Sequence, residues 1–273
     1  MTACSQGWIS RRTFLSSAAG TGLIMAFPLV DQAEAAERGG GDTRRLLRVH
    51  AREQWDARPP RQRAQILNRP PNRIVIHHTA TANTKDYSLE HAYRLSRLLQ
   101  RFHMERNGWD DIGEQLTISR GGHVMEGRNH TLAAIKSGRH VVGAQVRGHN
   151  HHTIGIESEG TYSNAPIPAP LWYSLVDTCV WLCHAYDLNP FLAIRGHRDF
   201  NATECPGDVL YAALPYLRKE VARRLRRLNK WLPAHGTRPI RPNIKVPAFP
   251  KPPPPPKPPK IPIVGRTKNR TGR

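Results

Sequence analysis

Ile74, Val75 and Ile76 form a short β-branched apolar run that follows Pro70 and Pro71 and ends on His77 and His78. Such a run after a turn predicts a buried strand, whose alternation sends the two histidines to opposite sides. Over Ser88–Arg106 the period changes. Ala92, Leu95, Leu99 and Phe102 recur at three- and four-residue intervals, which predicts an amphipathic helix with its arginines on the solvated side. Leu116–Ser119 and His123–Glu126 read as two extended runs, and Gly121–Gly122 between them marks a hairpin. From there to His152 no period holds. That segment reads as loop, with His140, His149, His151 and His152 at the surface or lining a groove.

The alternation returns in His152–Glu159, with Ile154 and Ile156 on one side and Gly155, Glu157 and Glu159 on the other. Leu171–Leu188 carries a stripe of Trp172, Leu175, Val176, Cys179, Leu182, Cys183 and Tyr186, which predicts a core-packing helix. Cys179 and Cys183 then read as two buried thiols, because neighbouring positions on one helix suit a disulfide poorly. Ala193–Arg195 is expected as a short strand, and Asp208 as the cap of a last helix reaching roughly Trp231. Trp55, in QWDARPPR, is expected at the edge of the core.

Charge changes the picture at the ends. Of the formal net charge of +20 over 273 residues, Arg218–Arg273 supplies most, with 17 Lys or Arg against one acid, Glu220. The preceding residues are nearly balanced, so the charge count does not support a nucleic-acid-binding face, and Phe249 is the lone aromatic beyond Pro233. KPPPPPKPPK reads as an extended basic rod that binds anionic wall polymers or spans the wall. At the other end SRRTFLS opens a twin-arginine export signal over 1–35, too short and too rich in Gly and Ser to be a stable membrane anchor. The expected organisation is a signal (1–35), a linker (36–48), one catalytic-looking domain (49–232) and a basic Pro-rich tail (233–273), in a protein exported to the wall, periplasm or exterior.

The chemistry gathers in GHRDFNATECPG, Gly196–Gly207. His197 and Cys205 on one irregular loop are borderline-soft ligands that suit zinc, and a catalytic zinc takes a third protein ligand while keeping one position open. The best distant donor is one of His77 and His78. Glu157 and Glu159, two carboxylates on one face of a buried strand, are costly unless paired or working.

IVIHHTAT, NGWDDIG, HVMEGR, HNHHTIGIESEG and GHRDFNATECPG occur in the order and approximate spacing of the peptidoglycan recognition protein family, and the sequence over about Val49–Arg218 resembles those type 2 N-acetylmuramoyl-L-alanine amidases. The resemblance implies an α/β fold, a single domain with a central mixed β-sheet flanked by helices and a zinc site at one edge of the sheet in a substrate groove. It implies Zn2+ on His77, His197 and Cys205, with Glu157 as catalytic base and Thr203 beside the oxyanion. Arg128 and Asn150 are the candidate contacts to peptidoglycan or muropeptides. Two positions depart from the family. Glu114 stands where a tyrosine is usual, as a candidate catalytic group in its place, and Gln145 stands where a second histidine is usual. The implied activity is cleavage between the lactyl group of N-acetylmuramic acid and L-alanine; the alternative is a non-catalytic peptidoglycan-binding protein held at the wall.

Overall fold

A computed structural model describes residues 47–231, with the side chains of 229–231 left out. The expected export signal and Pro-rich tail lie outside the described residues, as does most of the expected linker.

Eight strands and five helices follow one another: β1 (Val49–His50), a 3-10 turn (Arg52–Trp55), β2 (Ile66–Leu67), β3 (Arg73–His78), α1 (Leu89–Glu105), β4 (Leu116–Ile118), β5 (Val124–Glu126), α2 (Thr131–Lys136), β6 (His140–Val141), β7 (Thr153–Ser158), α3 (Ala169–Ala185), α4 (Pro190–Ala193), β8 (Ile194–Gly196), a second 3-10 turn (His197–Asp199) and α5 (Asp208–Trp231). Six strands form one mixed sheet in the order β1-β5-β4-β7-β3-β8; β4 and β5 are antiparallel and every other pair is parallel. β2 and β6 make a separate two-stranded ribbon.

Strand alternation divides the sheet into two faces. Ile74 and Ile76 of β3, Ile154 and Ile156 of β7, Leu116 and Ile118 of β4 and Ile194 of β8 share one core with the apolar stripe of α3 and with Leu210, Leu214, Leu217 and Val221 of α5. Each such side chain taken fully out of water contributes about 1.5–3 kcal/mol, so this face holds the sheet to its helices. The opposite face presents Val75, Gly155, Glu157, His77 and Thr117. At the β5 end it is covered by α1, whose Ala92 packs with Met125 and Trp55.

The elements begin where local chemistry dictates. Ser88 Oγ accepts from His91 N at 3.1 Å and caps α1, while Pro168 and Pro170 stand at the start of α3. Cys179 and Cys183 are buried thiols without a disulfide, and burial pushes the Cys183 thiol up to about 12.

Four expectations change. The stretch before His152, expected as loop, contains α2 and β6. His140, expected at the surface or a groove, is fully buried: its Nε2 meets Asn150 O at 2.8 Å, and desolvation lowers its pKa to about 4. Asp208 stands in the first turn of α5 and its carboxylate takes Arg198 Nη1 at 2.6 Å. Glu159 lies past the end of β7, where it meets His91 Nε2 at 2.5 Å and accepts from Arg120 N at 2.7 Å. It is a structural pair to a helix and a loop, not a partner of Glu157.

Candidate metal centre and its surroundings

Three segments converge at the C-terminal ends of β3 and β8, the end at which parallel sheets commonly present ligand sites. His77 is near the end of β3, His197 directly follows β8, and Cys205 closes the loop that runs on to α5. Their donor atoms all lie within 4.8 Å of one another, and all three side chains are buried. Cys205 Sγ is 3.7 Å from His77 Nδ1 and accepts from His78 N at 3.4 Å. His78 points to the other side, where its Nδ1 accepts from Tyr162 N at 3.2 Å.

The loop carrying the cysteine is fixed by its own residues. Arg198 N donates to Cys205 O at 3.1 Å, Cys205 N to Thr203 Oγ1 at 3.2 Å and Gly207 N to Glu204 O at 2.7 Å. Gly207 has φ +87°, and a Cβ there would sit 2.3 Å from the Tyr162 carbonyl carbon, so only glycine lets the loop pass this backbone. Thr203 thus holds the cysteine's backbone by its hydroxyl oxygen.

His197 Nδ1 has no hydrogen-bond partner among the described residues although the residue is 0% exposed. An orphaned buried nitrogen is costly as it stands, and on a ring whose centroid lies 4.6 Å from that of His77 a cation held with His77 and Cys205 would explain it. Two imidazoles and a thiolate form a donor set that zinc takes, with room in a tetrahedral site for one further ligand. The residues present fit zinc.

Glu157 stands beside this group. It is the register partner of His77 across the parallel β3–β7 pair and of Thr117 across β4–β7, so the three side chains leave the same face of the sheet. Glu157 is 3% exposed. Glu114 lies behind it, fully buried, with Oε1 accepting from Thr117 Oγ1 at 3.4 Å and Oε2 3.9 Å from His103 Nδ1. Glu114 thus meets Thr117, which is the register partner of Glu157.

The two expected substrate contacts are engaged inside the protein. Arg128 is buried and Nη1 donates to Ile112 O at 3.1 Å. Asn150 Oδ1 accepts from Gln145 N at 2.9 Å and Val146 N at 3.0 Å, tying the loop that carries Gln145. Gln115, next to Glu114 in sequence, bridges elements: its Oε1 accepts from Gly155 N at 2.7 Å and its Nε2 donates to Val141 O at 2.8 Å.

The sequence marks Gln145 only as standing where a family histidine is usual, not as a neighbour of His77, and it does not single out Asn201. Gln145 Oε1 lies 2.6 Å from His77 Nε2, and Asn201 Oδ1 lies 3.2 Å from His197 Nε2. Asn201 had a local signal, four positions after a ligand histidine. The contact of Gln145 with His77 had none, because 68 positions separate the two.

The sequence model of the N-acetylmuramoyl-L-alanine amidase family, Amidase_2, matches residues 67–208, more than half of the chain. The chain belongs to this family. Human N-acetylmuramoyl-L-alanine amidase is 33% identical over 168 residues, 61% of this chain and 27% of that protein. Peptidoglycan-recognition protein LB of Drosophila melanogaster is 27% identical over 174 residues, 64% of this chain and 70% of that protein. Among solved structures, wild-type Drosophila PGRP-LB aligns with a TM-score of 0.54 at 26% identity, covering 61% of this chain and 92% of that one. Peptidoglycan recognition protein LE in complex with tracheal cytotoxin, a monomeric diaminopimelic acid-type peptidoglycan, aligns with the same TM-score and identity, covering 62% and 92%. The mammalian amidase matches only over about a quarter of its own length, and the insect protein over most of its length.

Proposed function

We propose that this chain is a zinc-dependent peptidoglycan amidase that cleaves the bond between the lactyl group of N-acetylmuramic acid and L-alanine. The observation that carries the reading is the buried His77–His197–Cys205 group with Glu157 as register neighbour of His77. His77, His197 and Cys205 hold the zinc, which when bound supplies Lewis-acid polarisation of a carbonyl and acidifies a water. Glu157 takes the proton of the attacking water and returns it to the leaving amine of L-alanine, so that one carboxylate serves as base and then acid. Thr203 keeps Cys205 in place through the bond to its N–H. Arg128 and Asn150 serve the site by holding the fold around it.

A second reading, binding of muropeptides without cleavage, is favoured by one observation: Glu114 is fully buried against His103 and Thr117 and offers the substrate no hydroxyl. A digest of purified peptidoglycan by the full chain, with and without a zinc chelator, separates the two. Soluble stem peptides with a new L-alanine amino terminus, lost on chelation, are the expected products. New sugar reducing ends reject the bond assignment, and zinc-loaded protein that retains wall fragments without product establishes the binding reading instead.

The proposal extends to the whole chain: export through the twin-arginine signal over 1–35, action at the wall by residues 49–232, and retention there by the basic residues that follow.

A further inference from the structure

We propose that Gln145 and Asn201 are positioning residues that fix both ligand histidines as Nδ1 donors, each through a neutral side-chain amide oxygen. This rests on the zinc reading above. The amide ends that do not touch histidine decide which way each side chain lies. Gln145 Nε2 donates to Thr153 Oγ1 at 2.8 Å and to the Thr153 carbonyl at 3.4 Å. Asn201 Nδ2 donates to the Phe200 carbonyl at 3.1 Å and the Arg147 carbonyl at 3.2 Å. Backbone carbonyls can only accept, so in both residues the NH2 end is assigned and the oxygen must face the imidazole.

An amide oxygen can also only accept. Each imidazole Nε2 therefore carries the proton and donates, which leaves the Nδ1 lone pair of each ring for the metal. The geometry agrees on both sides: His77 Nδ1 is the atom 3.7 Å from the Cys205 sulfur, and His197 Nδ1 is the buried orphan. Gln145 is held for this task from every side. Its N–H is bound by Asn150 Oδ1, and its side chain lies across Gly155, where a Cβ would come within 2.8 Å of its amide carbon.

The two acceptors are neutral, whereas a carboxylate is a frequent partner of ligand histidines. The amides orient the rings without adding negative charge around the ion. The cation then keeps more of its electrostatic pull on a carbonyl or water than it would beside two carboxylates.

Zinc affinity of the full chain, measured by titrating the metal-free protein against a chromophoric chelator, tests this directly. Gln145→Leu and Asn201→Leu are each expected to weaken zinc by about 10- to 100-fold. Gln145→Glu, which still accepts from Nε2 and does so with charge, should bind zinc at least as tightly as wild type. Thr153→Val leaves the acceptor in place but removes one anchor of the amide, and its expected affinity is intermediate. The Co2+-substituted protein adds a second readout, since a rotated imidazole changes the visible ligand-field bands. Wild-type affinity in Gln145→Leu overturns the proposal, as does equal weakening in Gln145→Leu and Gln145→Glu. Should Gln145→Leu fail to fold, Thr153→Val decides, and an unchanged affinity there rejects the role. Failure of the wild-type chain to bind zinc at all removes the metal reading itself, whereas tight wild-type binding with unaffected variants removes only the positioning role.

Discussion

The Cys205 sulfur sits between the backbone N–H of His78 and the ring of His77, so a single atom ties the metal group to the end of β3. Replacing it with alanine removes the one anionic ligand of the set. Cys205→Ala is expected to be purified without zinc, by elemental analysis, and to release no stem peptides from peptidoglycan. Glu157→Gln separates metal from proton transfer. The variant should keep stoichiometric zinc while the rate of amide cleavage falls about 10²- to 10⁴-fold, the range that general acid–base catalysis supplies. A rate near wild type would move the base role to another group. The juxtaposition of His197 and Cys205 was legible in the sequence because both lie within one short loop, and the sheet face of Glu157 because strand alternation fixes it. Gln145 and Asp111 were not, since their partners are chosen by tertiary contact between distant segments.

Asp111 shows what holds those segments together. It is fully buried and receives Arg52 at 3.0 Å from the first 3-10 turn, Gln100 Nε2 at 2.7 Å from α1, and both the N and Nδ2 of Asn129 at 3.0 and 2.9 Å. Breaking a buried ion pair by removing one partner costs about 3–5 kcal/mol, because the other charge stays buried. Asp111→Ala is therefore expected to lower the urea midpoint by that much free energy at unchanged slope, and a loss below about 1 kcal/mol would show that Arg52 finds water. His140, the first residue of β6, gives stability a pH dependence. Its folded pKa lies near 4, below the ordinary 6.5, so between these values the unfolded chain binds the extra proton. Stability should be full above pH 6.5 and fall toward pH 4, with His140 contributing on the order of 3 kcal/mol. His140→Gln should flatten that slope in denaturant melts of the metal-free protein. Long periodic elements such as α1 and α3 were legible from hydrophobic spacing, and α5 from Asp208 after the Pro-Gly turn. α2, with six residues, and β6, with two, are too short to show a period, and contacts with α3 and β2 decide them.

The molecule divides its charge unevenly along the chain. Beyond Trp231 lie ten Lys or Arg and no acid, while 17 of the 21 acids lie within residues 47–231. α5 leads into this stretch with Arg223 and Arg224 partly neutralised by Glu220 and Asp177, whereas Arg226 and Arg227 are exposed. Under the proposed function this basic stretch meets anionic wall polymers, and such attraction decays over about 10 Å at 0.1 M salt. Catalysis and retention should then be separable. A chain cut to residues 47–231 is expected to keep zinc and to cleave a soluble muropeptide within about twofold of the full chain, because every group placed in the mechanism lies inside it. Co-sedimentation with insoluble walls should differ. The full chain's bound fraction should fall steeply as salt rises, by the logic of counterion release, while the shortened chain binds less at low salt and responds weakly. Identical salt profiles for the two would place wall retention in the folded domain, and the basic tail would then have no part in holding the protein to the wall.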